Sequence, residues 1–127
     1  MGQMRTITAH FDNSRRYFEN AIGKEFDFTQ STGPYEYLLG ALSGCFYLTM
    51  LSIKHSVRWS SVDIAVEGTK RDSIPTMLEK TVLKITATAV TDKAEFESLA
   101  TKAAEECSIF NTIKAVSEME WTIEYKD

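Results

Sequence analysis

Cysteine, histidine, proline and glycine are all scarce in this chain of 127 residues, with two, two, two and six copies respectively. Two cysteines are too few to staple a secreted scaffold, so Cys45 and Cys107 are expected to be reduced thiols in a cytoplasm. Together with His10 and His55 they lack any short ligand spacing, and no metal site or bound cofactor is expected. No linker, repeat or low-complexity segment interrupts the sequence, which is read as a single domain over residues 1–127. The opening "MGQMRTITAHFDNSRR" contains no apolar stretch, so a secretory signal is not expected either. Basic clusters are equally absent. With a net charge of −4, and with Arg15–Arg16 and Lys70–Arg71 as mere pairs, the chain offers no phosphate-binding surface and is not expected to bind nucleic acid. Charge of either sign is missing from Tyr37 to Ile53. That run approaches the lower limit for a spanning helix, about 17 residues. It carries Gly40, Ser43, Gly44, Thr49 and Ser52, however, and is flanked by alternating sequence, so a buried central helix is expected and a membrane span is not.

What the chain does contain is alternation and two helical stretches. In "RTITAHF" the apolar Ile7, Ala9 and Phe11 alternate with polar residues, the period of a half-buried strand. "DNS" is turn chemistry, "RRYFENAI" returns as a second strand, and "GKEFDFTQ" sets Phe26 and Phe28 on one face against Glu25 and Asp27 on the other. "STGPYEYLLG" then changes the regime. Ser31, Thr32 and Gly33 are capping residues, Pro34 suits a first helical turn, and Glu36 lies where the helix dipole favours an anion. One long helix is expected from there to about His55, with Leu38, Leu42, Cys45, Thr49 and Ile53 along one stripe. Gly40 and Gly44, four apart, cost roughly 1 kcal/mol each against alanine in a helix interior. Close approach by another backbone would offset that cost.

"SSVDIAVEG" and "KTVLKITATAV" read as strands on either side of a hydrophilic connection. "TDKAEFESLATKAAEECSIF" reads as a second helix, capped by Thr91 or Asp92, with Phe96, Leu99, Ala100, Ala103 and Cys107 on its apolar face. "MEWTIEYKD" closes as a strand. The order is three strands, helix, two strands, helix, strand, which is an α+β arrangement. Each cysteine therefore falls on the apolar stripe of one helix. Two readings stay open at this point: a redox pair, which needs Cα atoms within about 7 Å, or two small buried hydrophobes.

Three stretches carry a resemblance to a known family. "GPYEYLLGALSGCF" resembles the central-helix signature of the OsmC/Ohr family. "VEGTKRDSIPTMLEKTVLKITATA" resembles its following strand, turn and strand, and "AEECSIFNTI" its second cysteine motif. The resemblance implies an intertwined homodimer, with two central helices packed together and sheets wrapped outside. It also implies thiol peroxidase chemistry on a small hydrophobic hydroperoxide. Cys45 would attack the peroxide and become a sulfenic acid, Cys107 would condense with it to a disulfide, and an external dithiol would reset the pair. Attack needs a thiolate, and a thiolate is stabilised by nearby positive charge. The family's arginine comes from the N-terminal strands, so the positions implicated here are Arg16 and Arg15, with Arg16 favoured.

This sequence also departs from the family pattern. The carboxylate that orients the arginine in organic hydroperoxide reductases lies ten residues before the cysteine, and here that position is Tyr35. Glu36 follows, but nine residues at about 100° each place it opposite Cys45 on a continuous helix, where it would complement the dipole. The second motif reads Cys107–Ser108 in place of Cys-Pro. Tyr35, Tyr37, Phe46, Tyr47 and Met50 either line an apolar pocket or form dimer core. The rival reading is a non-catalytic dimer of this fold that binds a hydrophobic ligand, with both cysteines structural.

Overall fold

A computed structural model describes residues 2–127. It divides into two compact units, residues 2–37 and 38–127, and its architecture is α+β. The N-terminal unit is an antiparallel meander of β1 (Ile7–Phe11), β2 (Arg16–Asn20) and β3 (Glu25–Asp27), in that spatial order. Asp12 makes the first turn, its Oδ1 accepting from the backbone N–H groups of Ser14 and Arg15, both at 2.8 Å. The second strand stops at Asn20, short of the Ile22 expected from the sequence. There Asn20 Oδ1 accepts from the amides of Ile22 and Lys24, and Gly23 turns the chain with φ +87°, a conformation that only glycine adopts without strain. Phe18 stacks on its cross-strand partner Phe26 at 4.9 Å, and Tyr37 meets both ring edges while its hydroxyl donates to the Asp27 carbonyl at 2.6 Å.

Helix α1 spans Pro34–Ile53. Its start carries one half of a capping box, with Glu36 Oε1 accepting from the Gly33 N–H at 2.8 Å. By length and composition α1 is apolar enough to cross a membrane, with mean hydropathy 1.3, yet Leu42, Phe46 and Met50 are fully enclosed within the single chain. That buried stripe corrects the expected one. Leu42 is common to both, but Cys45, Thr49 and Ile53 flank the buried face half-exposed, and Leu38 is exposed. Because α1 is apolar all round, its periodicity does not select a face; packing of the larger Phe46 against Phe110 does so, with ring centroids 6.0 Å apart. The hydroxyls of Ser43, Thr49 and Ser52 bond back to carbonyls of the same helix at 2.8 Å, so polar residues sit on an apolar helix without needing water.

The C-terminal unit carries a second sheet of β4 (Ser61–Lys70), β5 (Leu78–Thr88) and β6 (Glu118–Lys126), with β5 central. β4 and β5 are antiparallel, whereas β5 and β6 are parallel, so the chain between them must cross over. The crossover holds two helices where the sequence suggested one: α2 (Lys93–Glu106) and α3 (Ser108–Lys114). Asp92 caps α2, accepting from the Glu95 amide at 3.0 Å. The expected apolar face, Phe96, Leu99, Ala100, Ala103 and Cys107, is buried throughout. The helical path is broken at Cys107, whose backbone is extended (φ −66°, ψ 119°). The helical period continues across the break, which is why the sequence reads as one helix. The sheet's inner face supplies Leu83, Ile85 and Ala87 to the core.

Candidate active site: the two thiols

Cys45 lies in the middle of α1, one residue before the buried Phe46, and is half-exposed. Cys107 lies at the joint of α2 and α3 and has no exposed surface. The backbone there is over-determined. The Cys107 N–H donates to Ala103 O at 2.7 Å, closing α2, and its carbonyl accepts from the Asn111 N–H at 3.1 Å, opening α3. Its sulfur serves as the α3 cap, accepting from the Phe110 N–H at 3.4 Å. Serine at the next position occupies the first helical residue, where an N–H needs no intrahelical partner. Replacing Cys-Pro with Cys107–Ser108 therefore leaves the helix start intact.

The fold brings the two thiols together. The Cys45 side chain adjoins that of Cys107 closely enough to act on its titration. Burial pushes the Cys107 thiol above the usual range, the Phe110 and Ile109 amides oppose that shift, and the neighbouring Cys45 adds to it. At neutral pH Cys107 is therefore a protonated, water-shielded thiol, and both cysteines are free. The two cysteine segments are held in mutual register by aromatic packing. Phe46, next to Cys45, meets Phe110, three residues after Cys107, and Phe110 in turn meets Trp121 at 6.1 Å.

The remaining sequence-selected residues group elsewhere. Arg15, not Arg16, is the anchored arginine of the N-terminal unit. Its Nε donates to Asp27 Oδ1 at 2.7 Å and its Nη2 to Asp27 Oδ2 at 3.1 Å and Glu25 Oε1 at 2.9 Å, while the guanidinium lies 3.8 Å above the Tyr17 ring. This two-pronged bond to Asp27 holds the Asp27 carboxyl below the usual carboxylate range and keeps Arg15 charged. The guanidinium forms part of the wall of an open concavity of about 340 Å³, beside Asp12, Ser14 and Thr29. Arg16 opens β2 with its side chain exposed. Glu36 is occupied by the Gly33 amide, and the carboxylates on Arg15 are Asp27 and Glu25. The alternation of "EFDF" already set these two acids on one strand face. What it did not reveal was that the Asp12 turn delivers Arg15 onto that face. Tyr47 accepts from Trp59 Nε1 at 3.1 Å, and Phe46 and Met50 belong to the core. Among the described residues, no group of three or more His, Cys, Asp or Glu is placed to hold a metal ion.

A family model described as OsmC-like protein matches residues 27–122. No curated protein matches the chain. Among solved structures, an OsmC-like protein from Mycoplasma pneumoniae superposes with a TM-score of 0.85 at 15% identity, covering 100% of both chains. The organic hydroperoxide resistance protein OhrB of Bacillus subtilis superposes at 0.71 and 12% identity, covering 96% of this chain and 98% of its own. An organic hydroperoxide resistance protein from Legionella pneumophila, also described as a predicted redox protein, superposes at 0.67 and 17% identity, covering 96% and 97%.

Proposed function

Since the chain belongs to the OsmC family, we propose that it is a thiol-dependent peroxidase that reduces organic hydroperoxides through Cys45 and Cys107. The observation that carries this reading is the pairing of a half-exposed thiol with a fully buried one at the α2–α3 joint. The exposure difference supports distinct roles. Cys45, reachable from outside, is the nucleophile: its thiolate attacks the distal peroxide oxygen, the O–O bond breaks, and the alcohol leaves after taking up a proton. The resulting sulfenic acid is attacked by Cys107, which expels water and closes the disulfide. An external dithiol returns both sulfurs to thiols and is itself oxidised. The shielding of Cys107 favours this order, because a buried protonated thiol reacts poorly with peroxide directly.

Of the two arginines, this reading takes Arg15 as the thiolate stabiliser, because Asp27 and Tyr17 fix its guanidinium while Arg16 is exposed. Asp27 and Glu25 then supply the anchoring carboxylates that Tyr35 does not, and Glu36 serves the helix start. The partners are a small hydrophobic hydroperoxide, a dithiol and a second copy of the chain. Support for the homodimer comes from the α1 face that carries Gly40, Ala41, Gly44, Leu48 and Leu51, exposed in the single chain. This reading assigns the reaction to the cytoplasm, where a dithiol pool keeps thiols reduced.

Free-thiol counts on reduced protein, before and after one equivalent of cumene hydroperoxide, test the reading. Both thiols are expected to be consumed, and Cys45→Ser is expected to abolish the loss. Two thiols that survive the peroxide would overturn the reading in favour of a ligand-binding dimer with structural cysteines.

A further inference from the structure

The Asn111 side chain makes an unusual set of bonds. Its Nδ2 group donates to the carbonyls of Ala104 at 2.9 Å, Glu105 at 3.3 Å and Cys107 at 2.8 Å. The first two carbonyls belong to the last turn of α2, where no intrahelical donor remains for them. The third opens α3 and already accepts from the Asn111 backbone N–H at 3.1 Å. One carboxamide thus clamps both sides of the joint, and two bonds on the same carbonyl fix the peptide plane that follows Cys107. Fixing that backbone fixes the direction in which the Cys107 Cα–Cβ bond points, and the Cys45 side chain is near enough to the thiol at its end to act on it. A disulfide tolerates only a narrow range of Cα separation and dihedral angle.

We infer that Asn111 is a positioning residue for Cys107, holding its thiol in the orientation from which it closes a disulfide on Cys45. The inference rests on the pair being redox-active, and it deepens that reading by naming what aims the second thiol. A residue that merely capped the joint would stabilise the dithiol and disulfide forms alike. A positioning residue favours the disulfide form.

The test is an equilibrium with glutathione, in which protein dithiol and glutathione disulfide yield protein disulfide and two glutathione thiols. Wild type, Asn111→Ala, Asn111→Asp and Asn111→Gln are compared, with Thr112→Ala as control, since the Thr112 hydroxyl donates to Ser108 O at 2.9 Å and to none of the clamped carbonyls. The equilibrium constant is expected to fall about tenfold in Asn111→Ala and Asn111→Asp, equivalent to about 30 mV, and to change less than about twofold in Thr112→Ala. In single turnovers with cumene hydroperoxide, the first oxidation of Cys45 keeps its rate in these variants while dimedone-trappable sulfenic acid accumulates.

An unchanged constant in folded Asn111→Ala and Asn111→Asp would overturn the inference. Should Asn111→Ala lose its circular dichroism, the isosteric Asn111→Asp and the carboxamide-retaining Asn111→Gln decide. A constant recovered by Gln but not by Asp supports positioning, and equal constants overturn it. Wild type that forms the disulfide with glutathione but ignores peroxide would overturn the peroxidase reading and leave the Asn111 comparison standing. Wild type that forms no Cys45–Cys107 disulfide at any glutathione ratio overturns both.

Discussion

At the scale of single residues, the two cysteines show how position sets chemistry. Both were visible in the sequence as members of apolar stripes, but only packing separates them into a half-exposed and a fully buried thiol. Because burial raises the proton affinity of Cys107 in the folded chain, its neutral form stabilises the fold. That contribution is complete below the thiol pKa of an unfolded chain, about 8.5, and is lost as pH rises through the higher folded value. Urea midpoints measured between neutral and alkaline pH are therefore expected to fall more steeply for reduced wild type than for Cys107→Ala. For the same reason, closure of the disulfide after Cys45 oxidation is expected to accelerate as pH rises, because the attacking group is the thiolate. Among the arginines the sequence left two positions open, and they differ in anchoring: Asp27 and Glu25 hold Arg15, whereas Arg16 is exposed. A cation about 4 Å from a thiolate is worth about 1 kcal/mol even at high dielectric; on the proposal that Arg15 is that cation, Arg15→Met is expected to slow alkylation of Cys45 on the order of fivefold. Arg16→Met should leave that rate unchanged, and iodoacetamide kinetics distinguish the two variants. Equal rates in both would remove Arg15 from the reaction.

At the scale of elements, helix α1 was legible in extent and its facing was not. Its cap, its proline and its uncharged run marked the start at Pro34 and an end near His55, two residues past the observed Ile53, because these are local signals. Its buried side depends on which neighbours arrive, and Phe46 and Met50 face inward where Cys45 and Thr49 had been expected to do so. The opposite side explains the glycines in the absence of any internal neighbour: a Cβ added at Gly40 or Gly44 meets nothing within 4 Å in the single chain. Gly44→Leu consequently separates two outcomes by light scattering. If a second copy packs on this face, wild type has twice the 14.4 kDa chain mass and the variant is monomeric yet folded. If no copy packs there, the mass is the same in both proteins. The α2–α3 break was hidden for a related reason. Its signal is a cysteine sulfur and an asparagine amide acting as caps, residue types that no simple start or stop rule singles out, within a stretch whose helical period continues unbroken.

At the scale of the whole molecule, the Cys45–Cys107 disulfide would join the middle of α1 to the α2–α3 joint within the β5–β6 crossover. It would close a loop of roughly 60 residues, which is worth up to about 4 kcal/mol through the lost entropy of the unfolded chain. Oxidised protein is expected to exceed reduced protein in urea-unfolding free energy by a sizeable part of that amount, whereas Cys45→Ser should show no difference between the two conditions. The amino-acid sequence by itself determined the α+β order, nearly every strand, the starts of α1 and α2 and the apolar face of α2. These features follow from periods of two and 3.6 residues and from capping chemistry that acts within a few residues. Only the tertiary structure decided which side of α1 is buried, that Arg15 is held by Asp27 and Glu25, that β6 runs parallel to β5, and that the chain bends at Cys107. Each of these depends on contacts between residues distant in the chain, or on which of several equally apolar surfaces packs best, and no local pattern specifies either.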